Sequence, residues 1–456
     1  MLVFEQPPNG TIPIDLVSSS EFEQWHQECS DATKSWVKLT NFRGKANQFF
    51  HLPDSNGSPT SVVAGIGDSP SKASLGLLSQ KLGEGNFCLR TAPQDDLYML
   101  ALGWGMGAYT FDKYKTKASK PEKRATLYVD PQFASVQDEV DAINLARDLI
   151  NTGAGDMLPD ELEEAVAGVC DRFGVALSVT RGDELLERGF RTIHTVGRAS
   201  KSPPRLMEFR WGDENAPKIT IMGKGVCFDS GGLDLKNAQG MRDMKKDMAG
   251  SAMALGLSQL IMARKLNVRM RLMIPAVENA VSDNAYRPGD VITTYKGTTV
   301  EVGNTDAEGR LILCDALALA AEEKPEFMLD FATLTGAARV ALGFNLPAMF
   351  SNNDSLAEGL VASAKATSEP IWRMPLFDDY RETLKSSVAD ICNISSMAAG
   401  GAITAALFLE HFVDKVPWVH FDLMGSNTKT RPAHPAGGEG SVIRAAFHYI
   451  ENRFNG

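Results

Sequence analysis

The chain has 456 residues, 43% of them apolar, with a formal net charge of −11 and a pI near 5.3. That length exceeds what one hydrophobic core usually serves, so two domains are expected. The acidic balance argues against a general affinity for nucleic acid or anionic membranes, which requires clustered basic surface.

The segment Met1-Leu2-Val3-Phe4-Glu5-Gln6-Pro7-Pro8 has neither a basic start nor a sustained apolar core, so no signal peptide is expected there. Nothing in the sequence approaches the ~20 apolar residues of a membrane span. Six cysteines (Cys29, Cys88, Cys170, Cys227, Cys314, Cys392) are scattered without paired spacing. They read as buried thiols in a reducing compartment, which points to the cytoplasm.

Residues 1–136 alternate short apolar runs such as Ser61–Gly67 and Asp96–Leu102 with Gly, Pro and polar segments, the pattern of a small N-terminal α/β domain. Gly103-Trp104-Gly105-Met106-Gly107 lacks the lysine of a phosphate loop and the spacing of a dinucleotide fingerprint, and reads as a flexible turn. Val140, Ile143, Leu145, Leu149 and Ile150 recur at roughly helical spacing, predicting a linker helix over 137–152. A larger catalytic α/β domain is expected over 153–456. Leu158-Pro159-Asp160 opens its first helix, with proline near the start and acidic residues where the helix dipole favours them. Lys218–Gly223, Val268–Ile274 and Phe327–Leu334 are short apolar runs followed by polar loops. They predict a central, largely buried mixed sheet flanked by helices, with functional residues at the strand ends.

Two motifs carry chemistry. Asn304-Thr305-Asp306-Ala307-Glu308-Gly309-Arg310-Leu311 packs two carboxylates, a guanidinium and a glycine ahead of an apolar run. About 80 residues upstream, the stretch from Gly223 through Lys224, Asp229, Gly231-Gly232 and Lys236 is followed by Asp243-Met244-Lys245-Lys246-Asp247. No histidine lies in either motif, so the candidate ligands are hard oxygen donors and lysine amines rather than a histidine set. Asp229, Asp247, Asp306 and Glu308 together match the charge of two divalent cations. Separated by one residue, Asp306 and Glu308 would point the same way on an extended segment and could bridge two ions. Lys224, between glycines, could approach an ion as the neutral amine, while Lys236 and Arg310 would stay protonated to polarise a carbonyl or anchor an anion.

Taken singly, each feature has a blander explanation. Asp-x-Glu is ordinarily a solvated loop, Lys224 a surface lysine, and Asp243 with Asp247 a charged helix face. Met244 is ordinarily packing, Thr333-Leu334-Thr335-Gly336 a strand end with a turn, and Gly400-Gly401-Ala402 a helix entry. Their joint occurrence in this order and spacing argues against those explanations.

With these residues assembled, the chain resembles the leucine aminopeptidase (cytosol aminopeptidase) family. The likeness rests on residues 304–311, on Gly223 to Gly250, Arg287–Val291, Ala332–Ala337, Trp372–Leu376 and Gly400 to Leu409, and covers most of 140–456. In the N-terminal part it rests mainly on Gly107–Lys115. The resemblance implies that Lys224, Asp229, Asp247 and Glu308 bind one metal ion, and that Asp229, Asp306 and Glu308 bind the other. It implies Lys236 as the catalytic lysine, Arg310 as the holder of a bicarbonate general base, and Met244, Thr333, Leu334 and Gly336 as substrate contacts. It further implies a homohexamer of two stacked trimers, acting on peptides from their amino end. Zinc or manganese suits these ligands, as do magnesium and cobalt to overlapping degrees. Where family members often carry Gly-Met-Ser/Thr-Gly-Arg-Pro, this chain has Gly437-Gly438-Glu439-Gly440-Ser441-Val442, so a leucine-like side-chain preference does not carry over directly.

Two other classes compete. A carboxylate-rich two-metal site could hydrolyse phosphoesters, but no phosphate cradle accompanies it. A DNA-binding role, as in some bacterial family members, would need a basic groove and fits the acidic total only as a second activity.

Overall fold

The computed structural model describes residues 1–90, 94–116 and 124–455. The chain divides into two compact units, one of Met1–Asn144 with Thr428–Ala436, the other of Leu145–Asn427 with Gly437–Gly456. The first unit is therefore not continuous in sequence, a feature no local pattern announces.

Among the described residues, the first unit holds a six-stranded sheet in the order Leu2–Val3, Ala125–Tyr128, Gly85–Leu89, Ile12–Ser18, Pro59–Gly67, Phe49–Pro53. All neighbours run parallel except the last pair. In Pro59–Gly67 the run from Ser61 to Ile66 is buried without alternation, as a parallel strand covered on both faces requires. The Gly103–Gly107 segment is a correction: it is not a turn but the end of a helix spanning Gln94–Gly107. Its glycines serve close packing. A Cβ on Gly103 would lie 1.9 Å from the Lys72 carbonyl oxygen, and one on Gly107 2.0 Å from that of Gly76.

The expected linker helix spans Val136–Asn151, and the boundary between the units falls inside it. The next long helix, Pro159–Phe173, starts with Pro159 in its first turn and Glu161 accepting from the Leu158 N–H at 2.9 Å, and ends on the left-handed Gly174.

The second unit is built on a nine-stranded mixed sheet, again counted among the described residues. Its order is Trp372–Arg373, Ala348–Ser351, Trp418–Asp422, Phe327–Ala332, Lys218–Gly223, Arg269–Asn279, Arg205–Trp211, Ser178–Arg181. The four central strands, from Trp418–Asp422 to Arg269–Asn279, are mutually parallel. Antiparallel neighbours close in at Ala348–Ser351 and Arg205–Trp211. The ninth strand, Gly225–Asp229, continues the path of Lys218–Gly223 and pairs farther along Arg269–Asn279. Helices Ala249–Ala263 and Glu308–Glu322 pack on this sheet and are buried along most of their length. Helices that are apolar on nearly all sides belong in such an interior. Gly401–Glu410 is a helix entered through the left-handed Gly400, the ordinary explanation of Gly400-Gly401-Ala402.

No helix among the described residues is long and apolar enough to cross a membrane. All six cysteines are free thiols, but only Cys170, Cys227 and Cys314 are buried; the other three are half-buried, which corrects the expectation for the set.

Candidate metal centre

The carboxyl ends of the parallel strands bring the two motifs together, as expected for an open α/β sheet. Lys224 sits at the break between Lys218–Gly223 and Gly225–Asp229, held there by its N–H to Phe331 O and its carbonyl to Ser251 N, both 2.9 Å. Asp229 ends the second strand segment. Asp247 lies in a short 3₁₀ helix, Met244–Met248, and is buried rather than set on a charged helix face.

The second motif departs from the extended segment that sequence spacing suggests. Thr305 and Asp306 form a turn, and Glu308 is the first residue of the helix Glu308–Glu322. Polar side chains capture the N–H groups that a strand would have spent on a neighbour. Asn393 Oδ1 accepts from Gly303 N at 2.8 Å, Asp234 Oδ2 from Thr305 N at 2.8 Å, and Asn304 Oδ1 from Asp306 N at 2.7 Å. Placing Glu308 at the helix start also sets its carboxylate where the helix dipole favours negative charge.

One carboxylate oxygen each from Asp229, Asp306 and Glu308 can be chosen so that all three lie within 4.8 Å of one another. Lys224 Nζ lies 2.5 Å from Asp247 Oδ2, 2.9 Å from Glu308 Oε1 and 3.1 Å from Thr333 O. Lys236 Nζ lies 2.7 Å from Asp229 Oδ2 and also contacts Asp306. Asp229 Oδ1 accepts from Gly231 N at 2.9 Å and Asn279 Nδ2 at 2.8 Å, and Asp247 Oδ1 accepts from Thr333 Oγ1 at 2.7 Å. Glu308 Oε2 is buried and has no hydrogen-bond partner among the described residues. A Cβ on Gly309 would lie 2.5 Å from Lys224 Cε, so this position must be glycine for the lysine to lie across the helix start.

Of the cations around these four carboxylates among the described residues, only the Lys224 and Lys236 ammonium groups are in direct contact with them. Burial, then the neighbouring Asp229, pushes Glu308 up to about 8 despite its pairing with Lys224. The same two causes push Asp306 up to about 6. Burial works to lower Lys224, but the Asp247, Glu308 and Asp229 carboxylates, with the hydrogen bond to Asp247, leave it raised. An orphaned buried carboxylate oxygen and acids that resist ionisation are what a site built for extra cations has when only ammonium groups neutralise it. The residues therefore fit divalent metal ions bound through oxygen and amine donors.

A cavity of about 210 Å³ opens on this cluster. Lys224, Asp229, Lys236, Met244, Asp247, Asp306, Glu308, Thr333, Leu334 and Gly336 all line it, joined by Lys246 and Arg339, which sequence reading did not single out as site residues. Lys246 lies inside the Gly223 to Gly250 stretch and Arg339 two residues beyond Ala337, and nothing local marks either as facing inward. Arg310 is not among the lining residues. Its side chain is buried, Nη1 donates to Asn393 O at 2.8 Å, Nε has no partner among the described residues, and burial lowers it to about 10. Sequence reading also missed the supports Asn279, Asn393 and Asp422. Asp422 Oδ1 accepts from Leu334 N at 2.9 Å and Thr335 N at 3.1 Å, fixing the loop after Phe327–Ala332. Asn393 and Asp422 are remote from both motifs in the chain.

Comparison with known proteins gives the family. Residues 144–447 match the cytosol aminopeptidase family, catalytic domain, and residues 12–128 match the M17 aminopeptidase, N-terminal domain. The probable cytosol aminopeptidase of Geobacter sp. (strain M21) is 38% identical over 372 residues, covering 78% of this chain and 75% of that protein. The cytosol aminopeptidase from Coxiella burnetii superposes with a TM-score of 0.94 at 45% identity, covering 99% of both chains. The bottromycin maturation enzyme BotP in complex with Mn superposes with a TM-score of 0.87 at 28% identity, covering 97% of this chain and 99% of that one. A catalytic-domain match over two thirds of its length makes this chain a member of the cytosol aminopeptidase family, the metal-dependent aminopeptidases of the M17 group.

Proposed function

We propose that the chain is a two-metal aminopeptidase in which Lys224, Asp229, Asp247 and Glu308 hold one ion and Asp229, Asp306 and Glu308 the other. The observation that carries this reading is the convergence of the Asp229, Asp306 and Glu308 oxygens within 4.8 Å beside a Glu308 oxygen that has no partner. When bound, the ions supply Lewis-acid activation of water and of the scissile carbonyl, and a binding point for a free α-amine. Zinc or manganese is proposed first, the latter supported by the Mn complex of BotP, with magnesium and cobalt as alternatives. Assaying aminoacyl anilides after chelation and readdition of single metals tests class and metal together. Activity that survives complete chelation would sink the reading.

Lys236 is assigned to polarise the scissile carbonyl and stabilise the oxyanion. Its ammonium is held by Asp229 and Asp306, and is freed for substrate once those carboxylates serve cations. Lys236→Ala should keep its metal content while kcat falls by on the order of 10² to 10³, the size of a lost oxyanion donor. An effect confined to KM would reduce Lys236 to a binding residue. Met244, Thr333, Leu334 and Gly336 are assigned to contact the first residue of the peptide, since they line the same cavity.

Arg310 is assigned to hold bicarbonate as proton acceptor, supported by its buried, unpartnered Nε. Arg310→Ala should lose activity and most of its dependence on added bicarbonate, and Arg310→Lys should recover little because the planar fork is gone. Full-speed turnover by wild-type enzyme stripped of bicarbonate would place the base elsewhere.

The work is proposed to be peptide turnover in the cytoplasm, by a homohexamer. Exposed apolar side chains such as Val340 (89%) and Phe344 (54%) are surface that another copy could cover, and light scattering would measure the assembly.

A further inference from the structure

We propose that Lys246 and Arg339 form a cationic subsite of this cavity that binds a carboxylate of the substrate, an inference that rests on reading the cavity as the aminopeptidase site. Both side chains line it. Lys246 is 3% exposed, and its Nζ has no hydrogen-bond partner among the described residues. Arg339 is half-buried one turn into the helix Gly336–Leu342. Its Nη2 lies 3.6 Å from where a Cβ on Gly336 would stand, so the guanidinium folds back over the helix start toward a residue of the cavity wall.

The neighbouring acids are already engaged. Asp247 pairs with Lys224 and accepts from Thr333, and Asp422 accepts from Leu334 N, Thr335 N and Thr335 Oγ1. Two cations thus line one cavity, the buried one with its donors unmatched, an arrangement that is costly until an anion joins it. A planar guanidinium fork with an adjacent ammonium is complementary to a carboxylate. Two parts of a peptide could bring one: an acidic side chain on the first residue, or the free terminal carboxylate of a dipeptide.

The test uses the metal-loaded enzyme and two substrate pairs that differ in one charge. Glutamyl and glutaminyl 4-nitroanilides probe the side chain; Leu-Gly and Leu-Gly amide probe the terminus. Wild type should favour the charged member of one pair by about 10- to 100-fold in kcat/KM, chiefly through KM, and the pair that responds identifies the source. Without such a subsite the carboxylates at the metal centre would disfavour the charged member, so the sign alone is diagnostic. Lys246→Met and Arg339→Gln should each bring the ratio toward one, and Lys246→Arg should restore much of it, with metal content measured in every variant. Arg339 is only half-buried, so Arg339→Gln serves even if Lys246→Met fails to fold. Ratios of one or below for both pairs in an active wild type overturn the subsite and leave the aminopeptidase reading standing, as does a charged preference that survives both substitutions. Wild type inactive on every anilide and dipeptide overturns both.

Discussion

Glu308→Ala is expected to abolish hydrolysis and metal binding together, with kcat/KM falling by on the order of 10⁴ or to the background rate. Glu308 is assigned to both ions, and the three-carboxylate convergence that includes it is the only such group among the described residues. Asp229→Ala should behave alike. The metal-free protein separates this effect from a failure to fold. Burial and Asp229 hold Glu308 near 8, above its ordinary value of 4.5, so the folded state binds this proton more tightly than the unfolded one. Its contribution to stability is therefore fully present below about 4.5 and is lost as pH rises through about 8. Asp306, raised to about 6, acts in the same direction over a lower window. Chelated wild type should thus melt at falling temperatures as pH rises from about 5 to 8, and divalent metal should reverse the loss. Chelated Glu308→Ala should show a shallower slope and remain folded at pH 8. Retention of both metals with near-normal turnover would remove Glu308 from the site.

N-acetylation of a good peptide substrate is expected to prevent its cleavage, again by on the order of 10⁴ or more, since each factor of ten removes only about 1.4 kcal/mol of transition-state stabilisation. An acetylated nitrogen is an amide whose lone pair is delocalised, so it would have nothing to offer the cation assigned to Lys224, Asp229, Asp247 and Glu308. Space argues the same way. The cavity holds about 210 Å³, below the roughly 300–1,000 Å³ of sites that engulf drug-sized ligands, which suits one terminal residue better than a chain continuing on both sides. Chromatography of the blocked peptide after long incubation makes the check. Products cut at internal bonds would mean that the cavity works as an endopeptidase cleft.

Much of the catalytic unit could be read before folding because its signals are local. Apolar runs ending in polar loops marked Lys218–Gly223 and Phe327–Ala332, and Pro159 with the acids after it marked a helix start. The motif at 304–311 named two of the three carboxylates that converge, and the upstream stretch named the third, Asp229. Other features are decided by partners far along the chain. The turn at Thr305 and Asp306 exists because Asp234 and Asn393 take N–H groups from a segment that spacing alone would leave extended. Gly103 and Gly107 read locally as turn glycines, yet they stand in a helix and admit the backbone at Lys72 and Gly76 where side chains would otherwise be. Lys246 looks like any member of a charged run, yet tertiary packing buries it against the cavity. The grouping of Thr428–Ala436 with the first unit is equally invisible locally, since it rests on contacts such as Ala433 N to Gly76 O at 3.2 Å. Sequence by itself determined which side chains carry charge and offer ligand atoms, and where the strongly patterned strands and helices run, because periodicity and ligand chemistry act over a few residues. Tertiary structure alone decided which of those charges meet, which are buried and which are left without a partner, because each depends on desolvation by residues tens to hundreds of positions away.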